Sequence, residues 1–84
     1  MDPIWKNQFW WAKIGDRVWH CRYGWATITN VVREQMLPIE FKYDITATYD
    51  KVDFDGRLHL SDLFPSVFWG PIELDEIPHR PKDA

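Results

Sequence analysis

His20, Cys21, His59 and His79 are the residues of this chain best suited to bind a soft metal or to act as nucleophile and base, and their spacing supports neither role. Zinc sites draw on paired C-x-x-C or H-x-x-x-H ligands, and no such pair is present. His20 and Cys21 are neighbours. On a strand they face opposite ways, so they cannot share a metal or work as base and nucleophile. Cys21 then reads as a small core residue. Asp50, Asp53 and Asp55 cluster beside Gly56, but the Ca²⁺-loop spacing is missing and they read as a solvated edge. The chain has no Gly-rich phosphate loop, nucleophile elbow or helical metal pair. The sequence therefore predicts a protein that is not an enzyme and uses no metal or cofactor.

Binding chemistry is better represented. Trp19, Tyr23, Trp25 and Tyr43 are the candidates for an aromatic binding surface, with Arg17, Arg22 and Arg33 as its rim. Aromatic faces hold cations and pack peptides, and Trp and Arg are the side chains that most often carry binding energy. Trp19 or Trp25 filling the core is the competing reading, and a closed cage for a methylated cation is a narrower form of the same idea. A flat protein-binding patch fits these residue types better than a cage.

With 84 residues, the chain makes one domain and needs a dense core. Six Trp, five Phe and three Tyr supply it. Each large ring can bury about 150 to 250 Å², and together they exceed what a small barrel interior takes, so some rings are expected outside. The single cysteine rules out an internal disulfide and points to a cytoplasmic site. Residues 1–11 contain no apolar run of the kind that a signal peptide needs, and no stretch is long enough to span a bilayer. The net charge of −3 is unevenly placed. Residues 1–33 hold five Lys/Arg against two Asp, a surplus of +3, and residues 34–84 hold five against eleven Asp/Glu, or −6. Binding to duplex phosphates normally needs a stronger basic excess, which ranks nucleic acid behind protein as a partner.

The elements that would position these residues follow from period and turn chemistry. Asp2-Pro3 suits a helix start, giving a short helical cap over residues 1–12 with Trp5 and Phe9 on one face. Gly15-Asp16 opens a strand over residues 17–22. Gly24 reverses the chain with a positive φ, and a second strand runs from Trp25 to Glu34. Ile39, Phe41 and Tyr43 alternate with charged residues as a third strand, and residues 46–54 make a fourth of uncertain register. Asp55-Gly56 predicts a hairpin into a fifth strand at Arg57-Leu58-His59-Leu60. Ser61 or Asp62 would cap a brief helical turn through Leu63 and Phe64, stopped by Pro65. The expected organisation is a cap over 1–12, a barrel over 13–70 and a Pro-rich acidic segment over 71–84. Val18, Ile28, Val32, Phe41, Val52 and Leu60 should line the barrel core.

The string Gly15-Asp16-Arg17-Val18-x-His20, then Tyr23-Gly24-x-x-Thr27-Ile28-x-x-Val31, then Phe41-x-Tyr43-Asp44, resembles the Tudor-like C-terminal domain of bacterial superfamily 1 repair helicases. It is also similar to the RNA-polymerase-interacting barrel of the CarD type. The resemblance covers residues 13–60. It implies a mainly β fold, a five-stranded SH3-like barrel whose roles are protein contacts with the transcription machinery. Ala26 stands where that pattern prefers a second Gly, and the flanking segments have no counterpart in it. The Tyr-Gly-Trp turn and the Phe-Asp-Gly-Arg hairpin are also similar to those of small uncharacterised bacterial and phage proteins. The sequence thus favours a non-catalytic protein-binding module that contacts transcription, repair or defence machinery. A nucleic-acid-binding barrel using Lys13, Arg17, Arg22 and Arg33, and a self-associating structural protein, are the alternatives.

Overall fold

Period-two alternation decides the architecture, described for residues 5–71 by a computed structural model. In β1 (Arg17–His20), Val18 and His20 are buried and Trp19 is half-buried on the opposite side. β2 (Gly24–Val31) buries Ala26 and Ile28, and β3 (Ile39–Tyr43) buries Ile39, Phe41 and Tyr43. β4 (Tyr49–Val52) contributes Val52, and β5 (Val67–Phe68) contributes both its residues. All pairings are antiparallel, in the order β4-β3-β2-β1-β5, so the chain forms a meander whose last strand returns to the first. The sheet curls into a half-barrel.

Curling divides the apolar side chains into two sets. Inside lie Phe9, Ala12, Val18, Ala26, Ile28, Ile39, Phe41, Tyr43, Val52 and Val67, with Val31, Phe54 and Leu58 against them. Phe9, Phe41, Ile28, Ile39, Val18, Val52 and Val67 are fully buried. Each contributes on the order of 1.5 to 3 kcal/mol of apolar burial. Outside, Trp5 and Phe68 form a second cluster with Trp19 and Phe64, because Trp19 and Phe68 are cross-strand partners on the outer face.

A register shift between Ile28 and Asn30 in the β2–β3 pairing changes which residues face the core. The extra residue moves the alternation by one place, so Val31 packs on the core and Val32 is half-buried beyond the strand. The expectation for Val32 fails for that reason, and β2 ends at Val31 rather than Glu34.

The N-terminal helix is not formed among the described residues. Residues 5–11 make successive turns closed by bonds from Gln8 N to Trp5 O, Trp10 N to Asn7 O and Ala12 N to Phe9 O. Asn7 sits at φ 52°, which a right-handed helix does not tolerate. Its amide donates to Asp55 Oδ1, and the Phe9 amide donates to Phe54 O. Tertiary partners have replaced the helical ones. Trp5 and Phe9 consequently enter different clusters instead of sharing a face. The proposed cap at Asp2-Pro3 lies outside the described residues.

The fifth strand is also displaced. Residues 53–57 do reverse the chain, with Gly56 N donating to Asp53 O and Asp53 N to Arg57 O. Gly56 O then accepts the amides of Ser66 and Val67, so the turn feeds β5 rather than a strand at residues 57–60. Leu60 is 46% exposed and takes no part in the core. Residues 60–64 form a turn and bends, not helix. Asp53 is buried, in contrast to the solvated edge expected of it. Its Oδ1 accepts the amides of Asp55 and Arg57, and its Oδ2 accepts Arg57 Nε at 2.8 Å. No described helix is long and apolar enough to cross a membrane.

Candidate partner-binding surface

The β1–β2 turn owes its shape to two residues. Gly24 takes φ 81°, as its place at the reversal predicts, and a Cβ there would meet open space. His20 Nδ1 accepts the amides of Arg22 at 2.9 Å and Tyr23 at 3.2 Å, closing the turn from within. An imidazole that accepts there is unprotonated at Nδ1. Burial holds the His20 pKa below its ordinary value of 6.5; Asp50 opposes this and the Arg22 charge reinforces it. Cys21 lies in the turn and is exposed, which corrects its expected place in the core.

Trp25 and Trp19 are cross-strand partners on the outer face. They differ in environment. Trp19 packs into the outer cluster, whereas Trp25 is 40% exposed. The Arg17 guanidinium lies over the Trp25 ring at 5.6 Å from its centroid. Three bonds hold it there: Nη1 to Thr27 Oγ1 at 2.9 Å, Nη1 to Asp44 Oδ1 at 3.1 Å and Nη2 to Asp44 Oδ2 at 2.5 Å. The Asp44 amide donates to Trp25 O, so the anchor and the ring are tied through the backbone as well. A groove of about 420 Å³, lined by Thr27, Thr29, Lys42, Tyr43, Asp44 and Ala47, runs beside this group. Lys42 Nζ sits over the ring of exposed Tyr49 at 5.8 Å.

The anticipated residues do not all converge. Tyr23 is exposed and touches Tyr43 edge-on at 5.3 Å, but Tyr43 is itself buried in the core. Its hydroxyl donates to Asp50 Oδ2 at 3.2 Å, and burial together with the Asp50 charge raises its pKa. Tyr43 lines the groove but is 4% exposed, which corrects its place in an open aromatic patch. Arg33 belongs elsewhere: it bonds the Trp10 carbonyl and lies over the rings of Trp10 and Phe54. Arg22 is exposed in the turn beside Tyr23. The structure therefore pairs Arg17 with Trp25 on the outer face, with Trp19 as the cross-strand neighbour of Trp25, and leaves Arg22 and Tyr23 in the β1–β2 turn.

Asp44 and Thr27 were missed as anchors. Pairing β2 with β3 in register aligns Ala26 with Tyr43 and sets Asp44 just beyond, a placement that needs the register rather than the composition. Among the described residues, no group of three or more His, Cys, Asp or Glu is placed to hold a metal ion. Comparison of the chain with protein-family models, with curated proteins and with solved structures gives no match.

Proposed function

We propose that the chain is a small SH3-like barrel acting as a non-catalytic protein-binding module in the cytoplasm, with transcription, repair or defence machinery as its partner class. The strand order supports the barrel reading, since a four-strand meander whose fifth strand returns to the first is the SH3-like topology. The observation that carries the binding reading is the exposed Trp25 ring with Arg17 fixed above it by Asp44 and Thr27, beside an open groove. An ordered aromatic at a turn loses little conformational freedom on binding, which suits it to anchor a partner.

The same geometry weakens the nucleic-acid alternative. Arg17 already spends its guanidinium on a carboxylate, and Arg33 is committed to the Trp10 carbonyl. Phosphate-driven binding would leave a steep dependence on salt, whereas an aromatic protein interface would not.

The test is affinity capture from lysate at moderate salt, with and without nuclease, comparing the parent with Trp25→Ala. Capture of a defined protein should survive nuclease, and purified partner should bind the variant about 2 kcal/mol more weakly. The variant's unfolding free energy should stay within about 1 kcal/mol of the parent. Nuclease-sensitive capture would favour the nucleic-acid reading, and concentration-dependent sedimentation of the isolated chain would favour self-association. If Trp25→Ala abolishes cooperative unfolding, the ring is structural and the surface is misassigned.

A further inference from the structure

We propose that Arg33, held on the rings of Trp10 and Phe54, is a second contact point of the module and receives a carboxylate of the partner protein that sits beside an apolar side chain. The inference rests on the protein-binding reading above. It places a further contact just past the end of β2, whereas Trp25 stands near its start.

Arg17 and Arg33 are alike in one contact and differ in charge balance. Each guanidinium lies over a Trp ring, 5.6 Å from the Trp25 centroid for Arg17 and 4.9 Å from the Trp10 centroid for Arg33. The Arg17 charge is cancelled on the spot by Asp44. Arg33 forms no ion pair among the described residues. What holds it is neutral: the Trp10 ring, the Phe54 ring at 5.4 Å and the Trp10 carbonyl, which accepts from Nη2. Aromatic faces and a carbonyl fix a cation without removing its charge.

The platform under Arg33 is firm. The Trp10 and Phe54 rings meet at 4.9 Å, Phe54 packs against the core, and its carbonyl accepts the Phe9 amide. An exposed guanidinium that is already ordered forfeits little freedom when a ligand arrives. Its five N–H groups form two edges of paired donors, and the single bond to Trp10 leaves one edge whole. A carboxylate matches that edge with two parallel bonds. One fixed cation, followed in the chain by the exposed acid Glu34, suits a single carboxylate and not a phosphate backbone, which needs a row of cations. The apolar half of the ligand follows from Trp11, next to Trp10 and 78% exposed, and from Met36, 75% exposed in the loop after Arg33. Trp beside Arg is the pairing that most often carries binding energy.

The experiment is NMR of the full chain, read at Arg33 Nε and at the Trp10 and Trp11 indoles. The probe is acetyl-Leu-Glu-Leu-amide, with acetyl-Leu-Gln-Leu-amide as neutral isostere and a thymidine oligonucleotide as phosphate source, all at equal ionic strength. The acidic peptide should shift the three signals saturably. Arg33→Gln and Arg33→Lys should each weaken it by about tenfold or more, because lysine keeps the charge and loses the paired edge. Arg33 is exposed, so both variants should keep the parent's amide spectrum elsewhere. Equal shifts with the glutamine peptide, tighter binding of the oligonucleotide, full binding by Arg33→Lys, or no saturable shift would overturn the proposal. So would a shift of Arg33 Nε in the free chain on combined Glu73→Gln, Asp75→Asn and Glu76→Gln, which would give the site to this chain's own acids. Failure here is separable from failure of the module. A silent Arg33 with Trp25-dependent capture of a protein leaves the module standing, and a responsive Arg33 with nuclease-sensitive capture removes the module while keeping the site.

Discussion

The β1–β2 turn and the turn at residues 53–57 are built by one device on different terms. In each, a buried side chain accepts two backbone amides from residues just downstream: His20 Nδ1 from Arg22 and Tyr23, and Asp53 Oδ1 from Asp55 and Arg57. In each, a glycine of positive φ completes the reversal, Gly24 at 81° and Gly56 at 96°. The surroundings separate them. Gly24 opens to space, while a Cβ on Gly56 would lie 2.3 Å from Val67 O, 2.9 Å from Gln8 Nε2 and 3.0 Å from Phe9 Cε2. The first turn is free to present side chains outward. The second is the junction where the N-terminal turns, the end of the meander and β5 meet.

The largest expected effect tests that junction. Gly56→Ala must move a backbone carbonyl that is itself part of β5, and it strains φ as well. It should cost about 3 kcal/mol or more, read as a lowered denaturant midpoint. Relief by rotation of Gln8 is closed off, because its Nε2 donates to both Asp55 O and Val67 O. A loss below about 1 kcal/mol would mean that the junction yields and is not the fixed point described here.

Gly24→Ala isolates the conformational part of the same substitution. With nothing for the methyl group to strike, the cost should be about 1 to 2 kcal/mol, set by the left-handed backbone alone. Equal losses at the two glycines would erase the distinction between an open turn and a packed one.

The same contrast explains what the sequence made legible. The first three strands and the Gly24 reversal could be read because alternation and turn chemistry act over a few neighbouring residues. Asp55-Gly56 was also read correctly as a turn, but its destination was not. Whether the chain leaving Gly56 pairs at residues 57–60 or runs on to pair at Val67 depends on β1, far earlier in the chain, being an open edge, and no local signal carries that. The N-terminal segment failed in the same way, since helical spacing at Trp5 and Phe9 says nothing of Phe54 O and Asp55 waiting as partners. At the proposed surface, residue type was enough to single out Trp25 and Arg17, which the structure places together. Register was needed to find Asp44, and burial to remove Tyr43 and Arg33 from the group. His20 as a turn acceptor left no trace in the sequence, because imidazole, unlike Asp, is not a habitual partner of downstream amides.

That difference in acceptor chemistry yields the smallest prediction, which concerns pH. Protonating His20 at Nδ1 would set an N–H against the two amides it now accepts, and burial already disfavours the charged ring. Its folded pKa therefore lies below the unfolded value near 6.5, so the unfolded chain binds the proton more readily. The stabilisation from neutral His20 is complete above pH 6.5 and is lost as pH falls from there through the lowered folded pKa. Thermal melts between neutral pH and about pH 5, above the range where most carboxylates titrate, should show stability declining on acidification by on the order of 1 kcal/mol. Amide exchange should place the earliest opening at Arg22 and Tyr23, with the amides of Asp55 and Arg57, which are held by Asp53 instead of an imidazole, still protected. His20→Gln should flatten the slope. A slope that persists in His20→Gln would assign the acid sensitivity elsewhere, and the two turns would then share their device without differing in their response to protons.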